Sequence, residues 1–363
     1  MRLLLDDPRV DPGRLDSTGS NPLHYAAGEC HESVVALLLR DPRINPATAD
    51  NEGLTPFLYA AWAPRDNVEV IRLLLADPRM DPVEVDANGS TAIILASEAA
   101  NAGNLKVLID AGLDVNGQNI DGQTALFYAV TKESTDVLRL LLAAPGIDPN
   151  IQDLEGRTAI TEAVEHGAVD MVRLLLADER VDANAKKHNG WTVLMSIIML
   201  GEVDCVRELL LHQQIDINSI GREGASALLF AISEGHTEIV RLLLKDERFN
   251  LKGLDRADWP PVVSAVVHAN GDVVRMLCED GRFSISARDA IDGRTPILWA
   301  ARHGALEIVK ILAEYRDRPG GLGLLKADEA GITAREYGSI SGNLEIASLL
   351  GEYEVEEYEA LGL

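Results

Sequence analysis

The stretch DNEGLTPFLYAA (residues 50–61) returns later in the chain as IDGRTPILWAA (residues 291–301). Both copies contain a glycine, then a threonine–proline pair and, at the end, two alanines. Text that recurs in this way is typical of a repeat architecture, in which one small structural module is copied along the chain. The module therefore decides the fold.

The glycine of this module marks the period. It recurs at intervals of 33 to 38 residues, and Asp258 stands in its place once. The glycines are Gly19, Gly53, Gly89, Gly122, Gly156, Gly190, Gly224, Gly293 and Gly331. A period of roughly 20–50 residues indicates a solenoid, a propeller or another array of stacked modules.

Each part of the module has a mechanical interpretation. The glycine supplies the positive φ of a tight turn. The threonine caps a helix whose first position is the proline, as at Thr55-Pro56 and Thr295-Pro296. The alanine pair lets this first helix pack closely on a neighbour. A second helix follows, and its leucines and valines cover more than one side, so each module needs neighbours on both sides to bury its apolar surface.

The text NPLHYAA (residues 21–27) and the text GHTEIVRLLL (residues 235–244) resemble the ankyrin family. This resemblance implies an all-α fold, an ankyrin-repeat solenoid of stacked helix-turn-helix units with β-turn or hairpin tips and a concave face formed by tips and first helices. The recurrent Asp-Pro-Arg text, at residues 41–46 and 77–82, also resembles arrays that are common in filamentous fungi.

The period predicts four segments. Residues 1–15 form a partial N-terminal repeat that contains only a second helix, and residues 16–327 form nine ankyrin repeats. Residues 328–350 form a C-terminal capping repeat, and residues 351–363 form a frayed acidic tail. The missing first helix of the partial repeat also leaves open that the chain is the sensor end of a larger multidomain protein.

The array departs from its own pattern at three places. Two extra residues in the second repeat are expected within residues 62–67, as a protruding loop between its helices that contains Trp62. Asp258 replaces the turn glycine of the eighth repeat. Residues 317–323 form a lengthened connection, rich in glycine and proline, where the stacking angle is expected to change.

Charge and composition narrow the class of partner. The chain has 33 Lys and Arg against 58 Asp and Glu, which gives a net charge of −25. Such a surface repels phosphate and anionic headgroups, so we expect neither nucleic acid nor membrane as a partner. Three cysteines without metal-ligand or disulfide spacing indicate no cofactor, no metal site and a reducing compartment, the cytoplasm or the nucleus.

The resemblance implies that the chain is a protein–protein interaction scaffold that contacts its partner through the positions around the turn glycine and those after the alanine pair. From the fifth repeat onward these positions carry arginine, tryptophan and histidine, which are common anchors of protein interfaces. They predict a partner with an acidic or mixed surface. The candidate partner-binding residues are Arg157, Trp191, Arg222, Arg256, Trp259, Arg294, His268 and Arg302.

A second hypothesis is an enzyme with a pocket on the concave groove, built from Glu234, His268, Arg302 and His303. General acid–base catalysis needs such groups within hydrogen-bond reach, whereas adjacent modules lie about 10 Å apart, so few of these residues can share a proton. Trp299 takes the place that a tyrosine has in other repeats and is interpreted as a packing residue.

Overall fold

The computed structural model describes Leu5, Asp7, residues 9–221, Gly224, residues 226–251, 259–317 and 321–361, with side chains up to residue 356. The described residues form helices joined by turns, as the sequence predicts. The chain divides into two compact bodies, residues 1–188 and residues 189–363.

The N-terminal body contains five helix pairs, which we number in chain order. The first helices of the pairs are α1 (Pro22–Gly28), α3 (Pro56–Trp62), α5 (Ala92–Glu98), α7 (Ala125–Thr131) and α9 (Ala159–Glu165). The second helices are α2 (Glu32–Leu39), α4 (Val68–Leu75), α6 (Ala102–Asp110), α8 (Thr135–Ala143) and α10 (Val169–Leu176).

The C-terminal body repeats the same plan. Its first helices are α11 (Val193–Leu200), α13 (Ala227–Ser233), α15 (Pro261–Val267), α17 (Pro296–Arg302) and α19 (Ala334–Ile340). Its second helices are α12 (Val203–Leu211), α14 (Thr237–Lys245), α16 (Gly271–Asp280), α18 (Leu306–Ala313) and α20 (Leu344–Leu361).

Within each body, every first helix packs on the first helix of the next pair, and every second helix packs on the next second helix. The contact surfaces follow the module text. Ala60 and Ala61 of α3 are fully buried, as are Ile239, Val240 and Leu243 of α14. No single pair could bury this surface, so stacking supplies the core. The predicted class, an all-α solenoid of stacked helix-turn-helix units, is confirmed.

The caps of the first helices follow the prediction only in part. At α3, Pro56 is the first helical residue, and the Thr55 hydroxyl accepts a hydrogen bond from the Leu58 amide at 3.4 Å. At α17, Pro296 is again the first residue, but the Thr295 hydroxyl is buried and has no hydrogen-bond partner. The predicted side-chain cap at Thr295 is therefore wrong.

The insertion in the second repeat lies between α3 and α4, as predicted. Its ends are anchored, because Ala63 and Asn67 are buried. The Asn67 side-chain amide donates to the Ala27 carbonyl at 2.5 Å, and the Asn67 backbone amide donates to Asn104 Oδ1 at 2.7 Å. The protruding part is Pro64 to Asp66, together with the indole of Trp62, which is 43% exposed.

The acidic C-terminal segment is not frayed, and that prediction was wrong for the residues the structure describes: α20 continues to Leu361. Side chains outside the helix support its extension. The Arg316 guanidinium lies 5.1 Å from the centroid of the Tyr353 ring and 3.4 Å from the Glu356 carboxylate. Arg335 lies 3.6 Å from Glu354.

Some sequence-based predictions fall wholly or partly outside the described residues. Residues 1–4, 6 and 8 belong to the predicted partial repeat, Asp258 is the predicted glycine replacement, and residues 318–320 belong to the lengthened connection. In the part of the chain that the structure describes, no helix is both long and apolar enough to cross a membrane.

Candidate functional site

The turns that contain the module glycine, which we call tips, are joined to one another by backbone hydrogen bonds. In the N-terminal body the Ala87 amide donates to the Glu52 carbonyl at 2.8 Å, and the Ile120 amide donates to the Asn88 carbonyl at 2.9 Å. Gly53 has a φ of +79°, as the turn requires. The bonds fix the spacing of successive tips, so side chains on them are held in a row.

An aspartate opens most tips, and at several of them, such as Asp50, both carboxylate oxygens accept hydrogen bonds. Asp50 Oδ1 accepts the Glu52 and Leu54 amides, each at 2.9 Å, and Asp50 Oδ2 accepts the Tyr59 hydroxyl at 2.9 Å. The pair Asp328 and Tyr337 repeats this arrangement at 2.6 Å. The tyrosine position, six residues after the turn glycine, therefore has a structural role in fixing the tip to the first helix.

Arg157 is not an exposed anchor, which corrects the sequence-based expectation. In the fifth repeat Glu162 occupies the tyrosine position, and Arg157 joins it to the tip aspartate. The guanidinium lies 2.7 Å from Asp153, 3.3 Å from Glu162 and 3.5 Å from the exposed Glu155. Burial raises the pKa of Glu162, and the positive charge of Arg157 opposes that shift. The arginine thus stabilises its own tip.

Arg294 is also a structural residue, contrary to the prediction. It is 8% exposed, and its Nε lies 3.2 Å from Asp328 Oδ2 and 3.3 Å from the Tyr337 hydroxyl. Its guanidinium also pairs with Asp292 and lies 4.9 Å from the centroid of the Trp299 ring. These contacts join the ninth helix pair to the last one, so Arg294 has no charge left to offer a partner.

Arg302 is exposed on an aromatic stack. Trp299 is buried, as predicted, and its Nε1 donates to Asp289 at 2.6 Å. Arg302 lies 5.2 Å from the centroid of the Trp299 ring, and Trp259 and His303 have ring centroids 5.4 and 5.2 Å from it. Arg302 also lies 6.0 Å from the Tyr337 ring. We call these residues the Arg302 cluster: Trp259, Trp299, Arg302, His303 and Tyr337.

The Arg302 cluster presents one permanent positive charge. Burial and the neighbouring Arg302 lower the pKa of His303, so this imidazole is neutral at pH 7. Among the described residues, no carboxylate forms a salt bridge with Arg302, whereas Arg157 and Arg294 are each paired with carboxylates. A guanidinium over an indole, without a counter-charge, is free to bind an acidic or polar surface.

The other predicted site residues are dispersed. Trp191 is half-buried against Phe230, with ring centroids 5.0 Å apart. His268 is exposed, and its Nδ1 lies 2.8 Å from the carbonyl of Ser264. Arg222 and Arg256 lie outside the described residues.

The structure does not assemble the hypothetical catalytic pocket. His268 borders an open depression whose other polar walls are Asn270, Asp272 and Arg275, without a contribution from Glu234, Arg302 or His303. Within the described ranges, no three His, Cys, Asp or Glu side chains are grouped as a metal site would require. Burial raises the pKa of the Cys205 thiol to about 11, which disfavours the nucleophilic thiolate.

Sequence reasoning missed the role of the Asp-Pro-Arg text. Arg79 binds both oxygens of Asp77, at 2.9 and 2.6 Å, and donates to the Leu39 carbonyl at 2.6 Å. Leu39 ends the second helix of the preceding pair. The same clamp, an aspartate–arginine pair on a preceding helix end, is formed by Arg180, Arg248 and Arg282, and Arg43, paired with Asp41, donates to the Leu5 carbonyl. The sequence signal that could have predicted the clamp was an aspartate followed two residues later by an arginine, at the same place in each of these repeats.

Family models match the chain almost throughout. A model of three ankyrin repeats matches residues 1–86, 79–153, 145–221 and 208–289, and a model of one ankyrin repeat matches residues 292–317. The chain therefore belongs to the ankyrin-repeat family. Ankyrin repeats generally mediate protein–protein binding, which makes this chain a protein-interaction repeat domain.

Two known proteins illustrate the relationship. The ankyrin repeat domain of Bcl-3, a member of the IkappaB protein family, is structurally similar, with a TM-score of 0.56 and 29% sequence identity, covering 62% of this chain and 100% of that one. An ankyrin repeat protein of Rickettsia bellii (strain RML369-C) is 42% identical over 45 residues. That match covers 12% of this chain and 46% of the relative, so it spans less than half of the relative's length.

Proposed function

We propose that this chain is a scaffold or adaptor that binds a partner protein through its tips and the ends of its first helices, with the Arg302 cluster as the principal contact surface. The observation that carries the proposal is the exposed Arg302 guanidinium, stacked on Trp299 and without a salt bridge among the described residues. Its partner is a protein with an acidic or mixed surface.

The chemistry of the Arg302 cluster supports this proposal. Arginine and aromatic side chains are enriched at the energetically dominant positions of protein interfaces. The chain as a whole has a net charge of −25, so a locally positive, aromatic surface distinguishes one region from the rest. Electrostatic complementarity of this kind contributes to specificity and to the rate of association.

The test compares two arginine variants of the full chain in affinity capture from the native cell, followed by quantitative mass spectrometry. Arg302→Gln removes the charge of the cluster. Arg241→Gln is the matched control, because Arg241 is an exposed arginine on α14, a second helix. We expect at least one captured protein whose recovery falls about tenfold with Arg302→Gln, equivalent to about 1.4 kcal/mol, and stays unchanged with Arg241→Gln. Equal recovery with both variants contradicts the proposal.

Trp191 provides a further prediction for the proposed partner-binding surface. Trp191→Ala is expected to weaken capture of the same protein while the thermal unfolding midpoint stays nearly unchanged, because the indole is only half-buried. Trp191→Phe retains a ring against Phe230 and controls for lost packing. Capture by the variants and their thermal unfolding are measured side by side. A loss of capture that merely follows a loss of folding would refute a binding role for Trp191.

A further inference from the structure

A groove in the N-terminal body has a chemistry opposite to that of the Arg302 cluster. The second, third and fourth helix pairs enclose it, with a volume of about 650 Å³. Its walls are tips on one side and the exposed ends of first helices on the other. The residues that define its chemistry are Glu52, Trp62, Asp86, Glu98, Asp121 and Tyr128.

The negative charge of this groove is uncompensated. Four carboxylates line it, and no lysine, arginine or histidine among the described residues does so. Glu52, Glu98 and Asp121 form no salt bridge with any described residue, in contrast to Glu162, which lies 3.3 Å from Arg157 in the fifth repeat. These negative charges also act on Tyr128 in the groove wall. Burial, together with the charges of Glu98, Asp121 and Asp86, raises the pKa of the Tyr128 hydroxyl.

Asp86 has a carboxylate oxygen that the fold leaves unused. Asp86 Oδ1 accepts the amides of Asn88 and Ser90, at 2.9 and 2.6 Å. In the neighbouring second repeat the other oxygen of the tip aspartate accepts the Tyr59 hydroxyl, but Leu95 occupies the tyrosine position of the third repeat. Asp86 Oδ2 consequently receives no hydrogen bond from the described residues, and Asp86 is one of the residues that line the groove.

Trp62 gives the groove an aromatic wall. It ends α3 immediately before the insertion, and it is 43% exposed, which is unusual for the largest apolar side chain. Indole is the best aromatic surface for stacking a guanidinium or ammonium group. An aromatic ring beside unpaired carboxylates fits an arginine or lysine side chain, whose aliphatic stem is apolar and whose head is cationic.

We propose that this groove binds an extended segment of a partner protein that carries arginine or lysine at every third residue. Stacked helix pairs are about 10 Å apart. A segment in the extended polyproline II conformation advances about 3.1 Å per residue and returns every third side chain to the same face, so three residues match one repeat. The hydrogen bonds from Ala87 to Glu52 and from Ile120 to Asn88 fix this spacing before any partner arrives. Such preorganisation lowers the entropic cost of binding.

The inference shares with the proposed function that a protein is bound at tips and first helices, but it concerns a different body and a different charge. The groove lies in the N-terminal body and selects cations, whereas the Arg302 cluster lies in the C-terminal body and selects acidic or mixed surfaces. Either surface can therefore fail its test while the other passes.

The experiment measures binding of fluorescein-labelled nonapeptides to the full chain by fluorescence anisotropy. One peptide has arginine at positions one, four and seven with serine and leucine between, and its isomer has the three arginines in a row. A third peptide replaces every arginine with glutamine. We expect the spaced peptide to bind about tenfold more tightly than its isomer and the glutamine peptide to bind more weakly than both.

Variants then locate the binding. Glu52→Gln with Glu98→Gln should weaken binding of the spaced peptide about tenfold, because two ion pairs with the peptide are lost. The matched control is Glu32→Gln with Asp136→Asn, which changes the net charge equally at exposed positions of second helices. Trp62→Ala should also weaken binding. All these side chains are at least partly exposed, so unfolding midpoints should not change.

Three results would overturn the inference. The first is absence of binding by the spaced peptide at millimolar concentration. The second is equal affinity of the two isomers, which would remove the role of spacing. The third is an equal loss in the control double variant, which would show attraction by net charge alone. Arg302→Gln must leave peptide binding unchanged, and this control separates the inference from the proposed function.

Discussion

Arg294 and Arg302 lie in the same helix pair and differ in the carboxylates around them. Arg294 is surrounded by Asp292 and Asp328 and is buried, whereas Arg302 is exposed on Trp299 without a paired carboxylate among the described residues. Residue type alone therefore does not determine whether an arginine stabilises the fold or faces a partner. The neighbours from the adjacent repeat determine it.

Replacement of Arg294 should destabilise the C-terminal body. Arg294→Ala leaves the buried Asp328 carboxylate without its arginine, and loss of one partner of a buried pair costs about 3–5 kcal/mol. The free energy of unfolding, measured by urea titration, should fall by about that amount. Arg241→Ala is the control, with an expected change within about 0.5 kcal/mol. A change of that small size in Arg294→Ala would contradict the structural role.

The aspartates of the Asp-Pro-Arg clamps predict a specific acid sensitivity. Hydrogen bonds from Arg43 lower the pKa of Asp41 to about 2, below the value of about 3.9 for an unfolded chain. A depressed folded-state pKa means that the stabilisation is fully present above about pH 4 and is lost as the pH falls through about 2. Unfolding midpoints between pH 5 and pH 2 should fall more steeply for the native chain than for Arg43→Gln. Parallel curves would count against the pairing.

Some residue roles were predictable and others were not. The packing role of Trp299 followed from the aromatic residues at the same place in other repeats, Tyr25, Tyr59 and Tyr128. Arg157 is partly buried because it pairs with Glu162, and the sequence of the turn alone does not reveal this pairing. A carboxylate in the tyrosine position was the available signal. The unused oxygen of Asp86 was predictable in the same way, because Leu95 occupies the tyrosine position of that repeat.

At the level of elements, the helices were the most predictable feature. Alanine pairs and apolar runs recur with the period, and burial of a repeated face is a property of the sequence itself. The extension of α20 was not predictable, because it depends on Arg316 and Arg335 from other elements. The missing Thr295 cap has a similar origin: hydroxyl orientation is decided by local packing, which the text Thr-Pro does not specify.

The clamps act at the scale of elements, since those of Arg79, Arg180, Arg248 and Arg282 bind the end of a second helix in the preceding repeat. Arg248 donates to the Leu210 carbonyl at 2.6 Å and to the His212 carbonyl at 2.8 Å. Such charged hydrogen bonds satisfy carbonyls that a helix end leaves free.

Arg248→Ala should therefore lower the free energy of unfolding of the chain by about 1–2 kcal/mol, since a charged donor is removed from two carbonyls. Urea denaturation followed by circular dichroism provides the measurement. Arg241→Ala, on the exposed face of α14, is the reference. Equal free energies of unfolding for the two variants would contradict the stabilising role of the clamp.

At the scale of the whole molecule, the chain combines a strongly acidic composition with two surfaces of different character. The Arg302 cluster is cationic and aromatic, and the groove of the N-terminal body that Trp62 lines is anionic and aromatic. A repeat array is suited to this division, because the core is supplied by positions that recur and the surface by positions that vary. The period alone predicts the core, whereas the two surfaces can be recognised only in the three-dimensional structure.

The central claim is that a partner protein docks at the Arg302 cluster, and site-specific photo-crosslinking tests it most directly. Benzoylphenylalanine is placed at position 303, beside Arg302, or at position 310, an exposed site on the second helix α18. In the native cell extract, the account predicts a crosslinked partner at position 303 that is absent at position 310 and is lost when Arg302→Gln is added. The same adduct at both positions, or an adduct at 303 that survives Arg302→Gln, would contradict it.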